Sequence, residues 1–374
     1  MAAQGLAKLR AQIDKTYGQR LLRRETLVRP QAIPTGSLTL DHALGVGGWA
    51  LKRSHELVGP EGQGKTTLAI LGMVNALEMF PDRGVAFIDM EQAFDPDWAR
   101  KLGLDVDDEE HVFIIQPDDS EDVSDLLNLT LQDGFISMAV LDSVGAMESK
   151  VAFAKKAEDY TVGRNANIIS RMVKQTASTL RMTNSTWLAI NQYRAEIGSV
   201  KGPALKSAGP LVLKYSTTTK VSLRRTGEPA IKIKVTDSVT DAKHDEMIDI
   251  SRQIRAKVER NKLAPQGRSA DFWLTNVETP AFKIGIDQAD EAVALGLATG
   301  AIERVNSSVY KLPDGTKING RGNVKAAVLE RPAVLEQIRQ HVLDSVADTI
   351  LPEHEVALDG EVPEGVDPKT REIL

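Results

Sequence analysis

Residues 59–67 read Gly59, Pro60, Glu61, Gly62, Gln63, Gly64, Lys65, Thr66 and Thr67. The G-x-x-x-x-G-K-T spacing within them is that of a loop built to hold phosphate. Gly59, Gly62 and Gly64 carry no Cβ, so the backbone can turn tightly and approach a ligand. Successive N–H groups then converge on a β-phosphate at a helix N-terminus, whose dipole favours an anion. Lys65 can bridge β- and γ-phosphates, and Thr66 can ligate Mg²⁺. Asp142 ends an apolar run 77 positions after Lys65, followed by Ser143; an acid there would hold the Mg²⁺ shell opposite the threonine. Glu91 closes another apolar run and could deprotonate an attacking water. Gln192 closes a third, where it could touch a γ-phosphate. The competing readings are plain: a glycine turn that binds nothing, and acids and amides that only cap strands.

These groups need a frame. Residues Val85–Met90, His111–Ile115, Met138–Leu141 and Thr186–Ile190 read as buried strands. Helices fit 65–80, 92–102, 163–182 and a segment starting between Asp118 and Asp122. Such alternation predicts right-handed βαβ units on a largely parallel sheet covered on both faces, an α/β fold. Ligands of open α/β sheets bind at the carboxyl edge, where these runs end. Residues 35–48 suggest a strand and short helix before a glycine turn. Residues 193–214 break the pattern with glycines and lysines, and a loop of that length is usually functional or disordered. Residues 215–275 alternate like antiparallel strands with an insertion near 236–252. A turn is expected at Leu312–Gly315, with helices at 323–330 and 332–348. The expected division is an N-terminal helix and arm (1–34), a core (35–285), a small α/β domain (286–350) and an acidic, disordered tail (351–374). The helix, over residues 3–16, carries Leu6, Leu9 and Ile13 on one stripe and must dock on its own domain or on another subunit.

The chain has 374 residues, 42% hydrophobic and 26% charged, as in ordinary soluble globular proteins. It has no cysteine, which excludes disulfides and thiolate metal sites. No apolar run approaches the ~18 residues of a membrane span, and the basic N-terminus lacks the apolar stretch of a signal peptide. The expectation is a cytoplasmic protein with no membrane partner. The net charge of −6 is unevenly spread. Residues 351–374 hold seven acids and two bases, whereas residues 1–30 hold seven bases and two acids. Residues 193–225 hold seven bases (Arg194, Lys201, Lys206, Lys214, Lys220, Arg224 and Arg225) against Glu196 alone. A stretch of that kind can neutralise nucleic-acid phosphates, or be a solvated face.

The segments Thr35–Gly45, Gly59–Leu68, Phe87–Pro96, Ala99–Asp105, Leu141–Val144 and Ala189–Gln192 together resemble the bacterial RecA recombinases, in the family's order and spacing. The resemblance covers nearly the whole chain. It implies a RecA-like ATPase core and ATP with Mg²⁺ as cofactors. It makes Glu91 the water-activating glutamate and Gln192 the γ-phosphate sensor. Asp95 and Trp98 match the pair that contacts adenine, with tryptophan where the family usually has tyrosine. Residues 155–163 match the first DNA-binding loop and 193–210 the second, with Val162 and Ile197 where apolar side chains enter between base triplets. Lys174 falls on a basic DNA-contacting position; Arg194, Lys201, Lys206 and Gly209 belong to the second loop. Arg260 and Lys262 match two lysines that reach a neighbouring subunit's ATP. Departures are Gly209-Pro210-Leu211 where the family has Gly-Gly-Asn, Asn167 where it has arginine, and the 236–252 insertion.

The resulting expectation is an ATP-dependent recombinase that forms helical filaments on single-stranded DNA and exchanges it with homologous double-stranded DNA. The rivals are a hexameric helicase of the same fold and a DNA-coating scaffold with little turnover. Glu91 argues against the scaffold.

Overall fold

The structure, a computed structural model, describes residues 2–17, 30–117, 122–146, 158–195, 205–207, 211–228, 230–236, 245–279 and 283–350. In chain order the elements are α1 (Ala2–Tyr17), β1 (Ala32–Ile33), α2 (Leu38–Leu44), β2 (Trp49–Ala50), β3 (Ser54–Val58), α3 (Lys65–Met79), β4 (Gly84–Asp89), α4 (Pro96–Lys101), β5 (Val112–Ile115), α5 (Asp122–Gln132), β6 (Ile136–Asp142) and α6 (Glu158–Thr183). They continue with β7 (Thr186–Asn191), β8 (Tyr193–Ala195), β9 (Leu205–Ser207), α7 (Leu211–Ser216), β10 (Thr219–Arg225), β11 (Ile231–Thr236), β12 (Asp245–Asn261), β13 (Ser269–Thr275) and β14 (Gly285–Ile286). Last come α8 (Gln288–Thr299), β15 (Glu303–Arg304), β16 (Val309–Lys311), β17 (Lys317–Asn319), α9 (Arg321–Leu329) and α10 (Pro332–Ile350).

Among the described residues, ten strands form one sheet in the order β14-β13-β12-β10-β3-β7-β6-β4-β5, with β11 paired to β12. From β10 to β5 every neighbouring pair is parallel, and beyond β10 every pair is antiparallel. The parallel strands alternate between two buried faces, as their near-continuous apolar runs demand. Val85, Phe87, Val140 and Leu188 pack under α3, while Ala86, Ile88, Leu141 and Trp187 pack with Leu127 of α5 and Met172 of α6. Registers Val58↔Asn191 and Asp89↔Asp142 bring the carboxyl ends of β3, β7, β4 and β6 to one level. That edge is where the phosphate loop leaves β3.

Helices α8 to α10 and the three-stranded sheet β15-β16-β17 enclose a separate apolar cluster, including Val293, Tyr310, Val324 and Ile338. Leu38 of α2 is buried in that cluster as well. Beside it, the Glu291 carboxylate of α8 lies at the N-terminus of α2. It accepts from Ser37 Oγ (2.6 Å), from the Leu38 and Thr39 N–H groups (3.0 and 3.4 Å) and from Thr39 Oγ1. Burial pushes its carboxyl up to about 7, against the pull of those donors.

Several boundaries differ from the sequence expectations. The expected helix over 92–102 begins only at Pro96, because Asp95 is its N-cap and residues 90–95 are held as a loop by Asp89. The strand expected within 35–48 lies earlier, at Ala32–Ile33. The helix expected from 163 already begins at Glu158, which puts Val162 on α6 rather than on a loop. Of the segment 193–214, the described residues form β8 and β9, an antiparallel ribbon with Arg194 opposite Lys206, and the start of α7. Ile197, Lys201 and Gly209, and the tail 351–374, lie outside the described residues. The turn expected at Leu312–Gly315 is present, closed by Gly315 N–H to Leu312 O at 2.9 Å.

Candidate nucleotide site

The loop from Gly59 to Gly64 connects β3 to α3. A Cβ on Gly59 would sit 2.6 Å from Leu223 O, so only glycine lets the loop pass β10. Gly64, at φ 83°, is the N-cap of α3 and takes a left-handed conformation that favours glycine. The first turn of α3 thus carries Lys65, Thr66 and Thr67 with their backbone N–H groups facing the loop. Lys65 Nζ donates to Gly59 O (2.9 Å) and Pro60 O (2.8 Å). Burial depresses its pKa, while Asp142, Glu91 and Glu61 oppose the shift.

Thr66 Oγ1 donates to Asp142 Oδ2 at 3.0 Å, so the two proposed Mg²⁺ partners already meet. Burial, reinforced by the nearby Glu91 charge, pushes the Asp142 carboxyl up to about 7. A buried carboxylate beside other carboxylates and a hydroxyl is a hard-oxygen set that a divalent cation would relieve; these residues fit Mg²⁺. Asp142 and Ser143 are joined by a cis peptide bond. Ser143 Oγ donates to Glu91 Oε1, and the same oxygen accepts from Gln192 Nε2 at 3.2 Å. Glu91 is steadied from behind: Asp89 accepts from the N–H groups of Glu91 (3.2 Å) and Phe94 (3.0 Å) and from Gln116 Nε2 (2.9 Å). Lys65, Thr66, Glu91, Asp142 and Gln192 all line one cleft of about 140 Å³.

A second cleft, of about 330 Å³, continues from the loop and is lined by Gly62, Gly64, Thr67, Trp98, Arg252 and Asn276 among others. Trp98 Nε1 donates to Thr67 Oγ1 at 3.3 Å. Asp95 does not line this cleft; its carboxylate accepts from the Asp97 and Trp98 N–H groups, 3.0 Å each, and so fixes the helix that presents Trp98.

The chain's similarity to known proteins agrees with this geometry. The model of the RecA N-terminal domain matches residues 4–279. Protein RecA of Cutibacterium acnes is 32% identical over 373 residues, covering 98% of this chain and 97% of that protein. Protein RecA of Bartonella henselae is 33% identical over 333 residues, 88% of each chain. Protein RecA of Thermus thermophilus is 33% identical over 346 residues, 91% of this chain and 93% of that protein. The chain belongs to the RecA family. Its activity is accordingly that of a recombinase whose ATP hydrolysis depends on DNA, and the helicase alternative is not favoured.

Other RecA-type positions lie away from the two clefts. Arg260 and Lys262 line neither: Arg260 donates to Thr217 Oγ1 and Lys262 Nζ to Tyr215 O (2.7 Å), at the carboxyl end of α7. Strand β12 ends at Asn261, so Arg260 lies on the strand and Lys262 just beyond it. Lys174 is exposed on α6. Among the described residues no helix is long and apolar enough to cross a membrane. Arg252 and Asn276 were not legible in the sequence; the only signal was a base breaking the apolar row of a strand.

Proposed function

We propose that this RecA-family chain binds ATP and Mg²⁺ across the two clefts, hydrolyses ATP, and does so as a filament on single-stranded DNA in the bacterial cytoplasm. The reading rests on one observation: Lys65, Thr66, Glu91, Asp142 and Gln192 line one cleft at the carboxyl edge of a parallel sheet. In it the loop N–H groups and Lys65 hold the phosphates, Thr66 and Asp142 hold the metal, and Trp98 contacts the base. Bound Mg²⁺ would neutralise charge developing on the β- and γ-phosphate oxygens. Glu91 takes the proton from the attacking water, and Ser143 and Gln192 orient the carboxylate for it. A γ-phosphate competing for Gln192 would draw its amide from Glu91 and so signal to β8, which begins at the next residue. The ribbon of β8 and β9, with Arg194 opposite Lys206, carries the second DNA-binding segment, where Ile197, Lys201 and Gly209 also belong; Val162 and Lys174 belong to the first contact region. Arg260 and Lys262 act on a neighbouring subunit's nucleotide after leaving α7. Residues 1–34, 35–285, 286–350 and 351–374 serve as arm, ATPase core, small α/β domain and acidic tail.

Filament contacts have a candidate surface. An apolar cleft of about 630 Å³ between β5 and α5 is lined by Phe113, Leu126, Leu129 and Phe135, with Asp82 and Glu110 at its rim. Helix α1 leaves Leu6 and Leu9 60% and 52% exposed and belongs to the basic N-terminal segment. Apolar stripe and charge both complement the cleft, so its occupant is α1 of a second copy.

The decisive experiment uses Glu91→Gln. It is expected to bind ATP and form filaments on single-stranded DNA, visible by electron microscopy, while turnover falls about 10²–10⁴-fold. Wild-type turnover in this variant would remove Glu91 from its role; closed rings instead of helical filaments would overturn the recombinase reading.

A further inference from the structure

The base end of the nucleotide cleft has two walls from distant parts of the chain. One is Trp98, at the start of α4. The other is Arg252, with Asn276 beside it. On β12, Ile254, Ala256 and Val258 are buried under α3. Successive strand residues alternate faces, so Arg252, two positions before Ile254, leaves the sheet on the same side as the phosphate loop. It therefore replaces an apolar side chain in a core row just where that row meets the cleft.

Arg252 is also poorly provided for within the protein. Its Nε is shielded from solvent and has no hydrogen-bond partner among the described residues. The acid that favours its charge, Asp249, is engaged with Lys232 at 3.3 Å and Arg225 at 3.9 Å. Burial and the neighbouring Arg225 both disfavour the guanidinium charge there, and only Asp249 favours it. Placing a charged donor in such a position costs stability unless something pairs with it. A planar guanidinium stacks well on aromatic faces and stays charged when desolvated, which lysine does not match.

Resting on the ATP-binding reading above, we propose that Arg252 is the second wall of the nucleoside subsite: its guanidinium lies over the face of the bound base opposite the Trp98 indole. Every base has a π-face, so such a clamp strengthens binding without selecting the base. Base preference then falls to groups that read base edges, not to Arg252.

The test compares wild type with Arg252→Met, which keeps most of the apolar stem, and Arg252→Lys, which keeps the charge but has no plane. Affinities for ATP, ADP, GTP and inorganic tripolyphosphate are measured by calorimetry with Mg²⁺. In both variants ATP, ADP and GTP are expected to bind about tenfold more weakly, while tripolyphosphate binds as to wild type. In steady-state assays with DNA the loss falls on KM more than on kcat, as for binding shared by ground and transition states. Equal weakening of tripolyphosphate would make Arg252 a phosphate contact and overturn the clamp. Wild-type ATP affinity in Arg252→Lys would overturn stacking. A wild-type protein that binds tripolyphosphate but gains nothing from a base would overturn the nucleoside subsite, and one that binds no nucleotide would overturn the ATP reading itself.

Discussion

Lys65 donates to two carbonyls of its own loop, 2.9 and 2.8 Å away, and it is buried. A phosphate must replace those carbonyls, so the side chain is held in place before the ligand arrives. Lys65→Ala removes the charge that faces the phosphates and is expected to weaken ATP binding at least about 100-fold, since hydrogen bonds to charged groups contribute about 1.5–3 kcal/mol each. The check is ATP-induced thermal stabilisation, which should vanish; a shift equal to wild type would place the phosphates elsewhere. The residues of this half of the site were legible because their spacing is local: Gly59 to Thr67 is one motif, and Glu91, Asp142 and Gln192 each end an apolar run. Arg252 and Asn276 were not, because only the pairing of β12 with β10 and β13 carries them to a loop far away in sequence. Asp95, expected at the base, also caps α4 through one carboxylate oxygen; a carboxylate followed by Pro96 is a good helix start.

At the level of elements, the strands and long helices followed from apolar periodicity, and their order predicted the parallel half of the sheet. What periodicity missed was set by single residues: Asp89 holds 90–95 as a loop, which delays α4. Contact between α2 and α8 was equally invisible, because it depends on one carboxylate 254 positions from Ser37. That carboxylate gives a pH prediction. Glu291 titrates at about 7 in the folded chain and has a reference value of 4.5. Between those values the unfolded chain is ionised while the folded chain keeps its proton. The contribution is therefore fully present below 4.5 and is lost as pH rises through about 7, on the order of 3 kcal/mol in all. Glu291→Gln cannot ionise, so wild type should lose stability relative to it between pH 5 and pH 8. Urea unfolding of both proteins measures the gap; one that stays constant across that range would refute the shift.

For the whole molecule, the β5–α5 cleft and the stripe of α1 are open apolar surfaces among the described residues. Phe113→Glu puts a charge into the cleft, far from Lys65 and Asp142. Light scattering with single-stranded DNA and ATP is expected to show filament growth abolished, while ATP binding by the monomer stays within about twofold of wild type, since surface changes away from a site usually cost little. Unimpaired growth would move the subunit contact elsewhere. The Glu291 carboxylate, lastly, bears on how the chain can be cut. A version ending at residue 285 loses the acceptor for the first N–H groups of α2 and bares Leu38. Helix α2 runs directly from the segment that packs on α3, so the injury reaches the phosphate loop's own support. Any lost activity in such a shortened protein would therefore report a wounded core as much as a missing domain. Removing single side chains from the outer face of the C-terminal helices, with Glu291 and its neighbours untouched, is the cleaner dissection.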